Sequence, residues 1–483
     1  MEERYERDAE RFLEGMDREF YLTGAGLKEE LEIAPLFDRY GWLFSRDAVT
    51  QMLARRQDRG SRYLAEFGVE YYMENTVKSL TEQVENAKMK ATVAWDGKEV
   101  PYRSAPVLVA NEPDPGRRHE LQRRLMQRTA QFNPTLAERM NALHQGARDL
   151  GFADYVGLWD ELAELRLARL ADDMRQVLAR THDIYFAQLA AYLEQVGVTP
   201  AEADTSDTSR IIRAPQLDAL FPEDRLVAML RQTYLGLGVD MDKQANLHLD
   251  IESRPLKSPR AFCATIRVPE EVMLVIRPHG GRDDYHSILH ESGHAEHYAN
   301  VDPDLPMPFR RLGDNSVTEG YAELMDDLLR NRRWLADVLG LSGGEDHLRL
   351  ANFYKVYIVR RYASKLLYEL ELHRGDVTNM GQLYADTLGA NLGVRVPPEN
   401  YLSDVDDSFY AARYLRSWIF AVLLRQSLVR RYGHAWFASP AAGEFLVGLW
   451  REGQRRNADE IARDLGYNGL DIGPLIEDLL SQV

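Results

Sequence analysis

The chain has 483 residues, 45% of them hydrophobic and 28% charged, enough for a large core in one big domain or two lobes. Its formal net charge of −17 argues against nucleic-acid binding, which needs clustered Lys and Arg; Arg117-Arg118 and Arg332-Arg333 are short runs among acids. No apolar run is long enough to span a membrane, and the single cysteine, Cys263, excludes an internal disulfide.

The first residues, Met1-Glu2-Glu3-Arg4-Tyr5-Glu6-Arg7-Asp8, are charged and helical in pattern and do not read as a signal peptide, so a reducing cytoplasm is the expected location. Residues 1–90 carry helical stripes such as Phe12, Met16 and Phe20, then Leu53, Leu64 and Phe67. Thr92 to Val100 alternates around Asp96-Gly97, a hairpin signal. Residues 115–195 return to helical spacing, with Leu158, Leu162, Leu165 and Leu167 as core positions. The polar stretch Thr199–Ser209 reads as a connector.

From about residue 245 the period shortens. Leu247–Ile251, Phe262–Ile266 and, in part, Val272–Ile276 alternate as strands. Cys263 lies in the second of these and reads as a buried, inert thiol. A helical segment follows, Tyr285–Tyr298, carrying His290-Glu291-Ser292-Gly293-His294. On a helix, two histidines four residues apart share a face and can hold one zinc ion. The glutamate between them can reach a water on that ion and act as a general base. Four of the twelve histidines, His286, His290, His294 and His297, sit in this segment.

A zinc hydrolase needs a third protein ligand and an open fourth position. Glu319, in the first turn of a helix beginning at Asn315 or Ser316, is the best candidate. Glu323, one turn on, can hydrogen-bond the outer nitrogen of a ligating histidine. The plain alternative for this acidic pair is a solvated face near a helix N-terminus. Glu296 points away from the His290/His294 face. After residue 316 the chain reads as helical to its end, broken near Gly340–Gly344 and Val396-Pro397-Pro398. The fold class is therefore mainly α with a small β-sheet directly before the zinc helix. An edge strand there can pair with an extended peptide through backbone hydrogen bonds.

These residues resemble the gluzincin oligopeptidases of the thimet-oligopeptidase and oligoendopeptidase F type, and more distantly angiotensin-converting enzyme. His290 to His297 resembles that group's H-E-x-G-H-A-x-H. Twenty-four residues separate His294 from Glu319, as in that group. Gly281, Asp283-Asp284 and Lys257–Cys263 resemble the glycine, the paired acids and the strand that precede its motif. Phe409-Tyr410-Ala411-Ala412-Arg413-Tyr414 resembles its F-Y-x-x-K-Y run.

The resemblance implies a two-lobed helical metallopeptidase with a deep substrate channel: an N-terminal helical lobe, 1–205, with a hairpin near 92–102, and a catalytic lobe, 206–483. The catalytic lobe would hold the sheet (about 245–279), the zinc helix (about 285–299), the third-ligand helix (about 316–330) and the C-terminal helices. One Zn2+ per chain is expected on His290, His294 and Glu319, with Glu291 as base, Tyr414 on the oxyanion, and Glu323 and His297 supporting the ligands. Ala261, Phe262, Cys263, Ala264 and Tyr410 are expected to bind substrate, a short unfolded peptide. Asp404 stands where the group has a histidine that assists transition-state binding, and Leu402 where the converting enzymes have a carboxylate-binding lysine. Three other readings stay open: a zinc-holding peptide-binding protein with weak turnover, a carboxypeptidase-type exopeptidase, and a helical protein whose histidines bind no metal.

Overall fold

The computed structural model describes residues 2–341 and 343–481. Helices take up 70% of the chain and strands 5%, so the sheet is a local device within an α-helical protein. The chain folds as two compact units. The first comprises Met1–Val69, Gln216–Leu348 and Arg416–Asp478; the second comprises Glu70–Pro215, Arg349–Leu415 and Leu479–Val483. The junction at 215/216 falls near the expected boundary at 205, but segments 1–69 and 349–415 each group with the opposite part of the chain from the one expected.

The first unit is built on α1 (Glu2–Gly24), a three-stranded sheet, and two helices that follow it. The amphipathic stripe of α1 buries Tyr5, Ala9, Phe12 and Met16. Within that core the Phe12 ring meets Phe37 and Phe44 edge-on, at 5.3 and 4.9 Å.

The second unit contains α2 (Pro115–Thr129) and α3 (Thr205–Arg213), preceded by the hairpin β1 (Thr92–Trp95) and β2 (Lys98–Pro101). The strands pair antiparallel through Asp96-Gly97, whose φ angles of 48° and 73° are those of a type I′ turn. Val93 joins Ala105, Val109, Leu121 and Leu125 in a buried cluster that seats the hairpin. Arg118, fully buried, is satisfied by Asp207 at 2.5 Å and by the carbonyls of Glu112 and Pro113.

The sheet of the first unit consists of β3 (Leu247–Asp250), β4 (Phe262–Arg267) and β5 (Glu271–Val275) in the order β3-β5-β4, within a residue or two of the expected segments. β3 runs parallel to β5 and β4 antiparallel to it, which leaves β4 on an edge. α1 packs against β4, with the Thr265 hydroxyl donating to Asp17 and Arg18 gripping Glu271 at 2.8 and 3.1 Å. The next helix, α4 (Arg282–Ala299), packs on β4 and β5 and also lies against α5 (Asn315–Asp326). A final long helix, α6 (Tyr410–Tyr432), begins in the second unit and continues into the first.

Candidate metal centre

α4 starts where Gly281, at φ 89°, turns the chain out of the sheet. Asp284 in its first turn accepts from the backbone N–H groups of His279 and Gly280, at 2.6 and 2.8 Å, and so holds the entry loop. One face of α4 buries Tyr285, Ile288, Leu289, Ser292 and Ala299; the half-buried face presents His286, His290 and His294. α5 is capped by Asp314, which accepts from Ser316 N at 3.0 Å, rather than by Asn315 or Ser316. Every residue of α5 from Ser316 to Asp326 is buried, including Glu319, Glu323 and Asp326. Buried carboxylates need a cation, a proton or a metal ion to compensate them.

The two helices approach closely because position 293 is glycine. A Cβ there would lie 2.5 Å from Ala322 Cα and 2.8 Å from the Tyr321 carbonyl. Gly320, on the opposite side of α5, accommodates the Phe420 ring in the same way.

Across this contact three donors converge. His290 Nε2 lies 3.4 Å from Glu319 Oε2, and His294 Nε2 lies 3.6 Å from the same oxygen. Ligands about 2.05 Å from a tetrahedral zinc ion stand roughly 3.3 Å apart, so these spacings fit one ion between them. The far nitrogens are occupied. His290 Nδ1–H donates to Asp326 Oδ2 at 2.8 Å, and His294 Nδ1 lies 2.8 Å from Thr318 Oγ1. Tying Nδ1 in this way leaves the Nε2 lone pairs for a metal. Burial opposes charge on Glu319, but the adjacent His290 and His294 imidazoles outweigh it and hold the carboxyl below the usual range. Burial likewise opposes charge on His290, while Asp326, Glu319 and the nearby charge of Glu323 raise its pKa well above 6.5.

Glu291 sits between the two histidines in sequence and turns toward the sheet. Its Oε2 accepts from the Cys263 backbone N–H on β4 at 2.9 Å. The edge of β4 is thus partly engaged within the chain, since Arg311 also donates to the Ile266 carbonyl at 2.8 Å. Of the residues expected to bind substrate, the Phe262 ring packs against Gly24 and Ala264 is buried. Burial, followed by the charges of Glu291 and Asp17, pushes the Cys263 thiol well above its ordinary pKa, as expected of an inert thiol.

The expected supporting residues differ from those found. Asp326 and Thr318 meet the outer ring nitrogens, a part the sequence reading gave to Glu323. Glu323 lies close to His290, with ligand atoms of His290, Glu323 and Asp326 all within 4.8 Å of one another. His297 is fully buried against Tyr298 and Tyr321, and burial pushes its pKa down to about 3. Asp326 falls seven residues after Glu319, on the same helical face, so its signal was present in the spacing. Glu296 is buried away from this face and accepts from Gln244 and Asn300, at 2.9 and 3.0 Å.

Tyr410 and Tyr414 lie in the second unit, on the first turns of α6. Their rings meet edge-to-face at 5.0 Å, and Tyr414 meets Tyr362 at 5.5 Å. Asp404 is buried in that unit. It accepts from Arg361 at 2.5 Å and from the Tyr384 hydroxyl at 2.7 Å, with Lys365 3.8 Å away. Burial works against its charge, yet Arg361 and Lys365 hold its pKa below the usual value. Its carboxylate is committed to these partners. Leu402 is buried as well.

No protein-family model and no curated protein matches this chain.

Proposed function

We propose that the chain is a zinc metallopeptidase that hydrolyses short, unfolded peptides. The observation that carries this reading is the convergence of His290 Nε2, His294 Nε2 and Glu319 Oε2, with both Nδ1 atoms tied to Asp326 and Thr318. A zinc ion on these three residues would lower the pKa of a bound water to about 7 and polarise a peptide carbonyl. Glu291 is anchored through Oε2 to the Cys263 amide, leaving Oε1 to take a proton from the attacking water and return it to the leaving amine. β4, as an edge strand beside this helix, offers main-chain groups to an extended peptide, which suits substrates of varied sequence. Enclosure of the peptide in a channel, and a phenol donor from Tyr414 to the developing oxyanion, are assigned on the resemblance.

The second reading is a zinc-holding peptide-binding protein with weak turnover. It is favoured by Asp404, which stands in place of a histidine and is fully engaged by Arg361 and Tyr384.

An internally quenched peptide library distinguishes these readings. Dialysis against a chelator should abolish cleavage, and one equivalent of zinc should restore it. Tyr414→Phe should keep its zinc and lose turnover by about tenfold or more. Cleavage that persists without metal would overturn the zinc mechanism. Tight peptide binding with no cleavage by the zinc-loaded protein would establish the second reading.

A further inference from the structure

α6 begins from a backbone conformation that its own residues resist. Ser408 and Phe409, immediately before its first residue, have φ angles of 58° and 53°. Residues other than glycine visit this left-handed region singly and at a cost, which a bulky ring increases. No glycine lies between Gly393 and Gly433 to ease the turn. Tyr410 then enters the right-handed helix at φ −60° and ψ −28°. Two such residues in succession persist only where surrounding contacts hold them.

Those contacts all lie in the second unit. Phe409 is fully buried, its ring edge-on to His373 at 4.9 Å and 6.1 Å from Tyr155. Tyr155, also buried, stacks on His373 at 4.5 Å, and its hydroxyl accepts from the Ser408 N–H at 3.0 Å. His144 closes the group, with Nε2 2.9 Å from His373 Nδ1. Just upstream, Arg139 donates to Asp407 at 3.0 Å, and the Asp406 N–H donates to Glu369 at 2.9 Å. The left-handed pair is therefore pinned directly and at its entry.

We propose that Tyr155 and Phe409 are positioning residues, which lock the Ser408-Phe409 turn and so set where the Tyr414 hydroxyl stands. The proposal rests on the reading in which Tyr414 donates to the oxyanion. Packing alone would be served by an unstrained turn, and the strain sits at the head of the helix that carries Tyr414. If Ser408 and Phe409 relaxed to right-handed values they would join α6, each turning the chain by about 100°. With Asp406 and Asp407 tied, that change would pass down the helix to Tyr410 and Tyr414. The Tyr414 ring meets Tyr410 at 5.0 Å and Tyr362 at 5.5 Å, contacts that a shifted helix start would break. A donor displaced by about 1 Å can cost about a hundredfold in rate.

The test uses the zinc-loaded full chain. Tyr155→Phe removes the hydroxyl that accepts from Ser408 and keeps the ring. It should lower kcat on a quenched peptide by about three- to tenfold, with KM and zinc content unchanged. In a Tyr414→Phe background the same substitution should cost nothing more, because the phenol it positions is gone. Amide hydrogen exchange should quicken over residues 407–414 and stay at the wild-type rate in α4 and α5. Phe409→Leu should repeat this pattern. Unchanged exchange over 407–414 in Tyr155→Phe, or an equal loss of kcat in both backgrounds, would overturn the proposal. No cleavage by wild type, or a Tyr414→Phe protein as fast as wild type, would instead overturn the reading on which it rests, whatever the exchange shows.

Discussion

Asp326 and Thr318 decide how well two imidazoles can serve a metal, because each fixes one ring. The partners are unequal: Asp326 is anionic and accepts from His290, whereas Thr318 is a neutral hydroxyl beside His294. Replacing such partners costs about 10- to 100-fold in metal affinity. Asp326→Asn should fall at the upper end of that range and Thr318→Val at the lower, measured by competition with a chelator. Equal, negligible losses would mean that the rings are held by packing alone. The convergence of His290, His294 and Glu319 was legible because their spacing along two helices places them. Asp326 also lay on the ligand face of α5, but Glu323, one turn from Glu319, offered a nearer carboxylate. Thr318 carried no signal, since a threonine in a first helical turn ordinarily serves as a capping residue or a packed side chain. The commitment of Asp404 to Arg361 and Tyr384 was equally hidden, because both partners are distant in sequence.

At the scale of elements, the centre depends on how closely α4 and α5 approach. Gly293 sets that distance, since any Cβ there would meet α5 backbone at 2.5 Å. Backbone cannot move aside as a flexible side chain can. Gly293→Ala should therefore destabilise the protein by about 1–3 kcal/mol and weaken zinc binding at the same time. Thermal melts with and without zinc would check both, and an unchanged melting temperature would show that the helices can separate without cost. The strands, the hairpin at Asp96-Gly97 and the helices α4 and α5 were readable from period and turn chemistry, because those signals are local. Which strand lies on the edge was not readable. β4 precedes β5 in sequence, yet β5 occupies the middle because it pairs with both β3 and β4. That order matters, since it brings the Cys263 amide to Glu291.

At the scale of the whole molecule, the two units draw on separated segments, so no single sequence boundary divides them. Both units also bury neutral histidines. In the second, His144 Nε2 and His373 Nδ1 are 2.9 Å apart; burial pushes His144 down to about 4 and His373 well below 6.5. In the first, burial pushes His347 down to about 4, against a hydrogen bond to the Leu329 carbonyl. For a histidine whose folded pKa lies below its unfolded value, the unfolded chain binds the proton first. The associated stability is full above about pH 6.5 and is lost as the pH falls through about 4. Denaturant midpoints should therefore drop across that window, and His144→Gln should flatten the drop. A midpoint constant from pH 7 to 4 would contradict this assignment.

The proposed hydrolysis turns on Glu291 acting as the base beside a zinc ion held by His290, His294 and Glu319. The most direct test compares wild type with Glu291→Gln, each loaded with one equivalent of zinc, in the cleavage of a quenched peptide followed by mass spectrometry. Glu291→Gln should bind zinc normally and cleave slower by about a hundredfold or more. Equal rates from the two zinc-loaded proteins would contradict the mechanism.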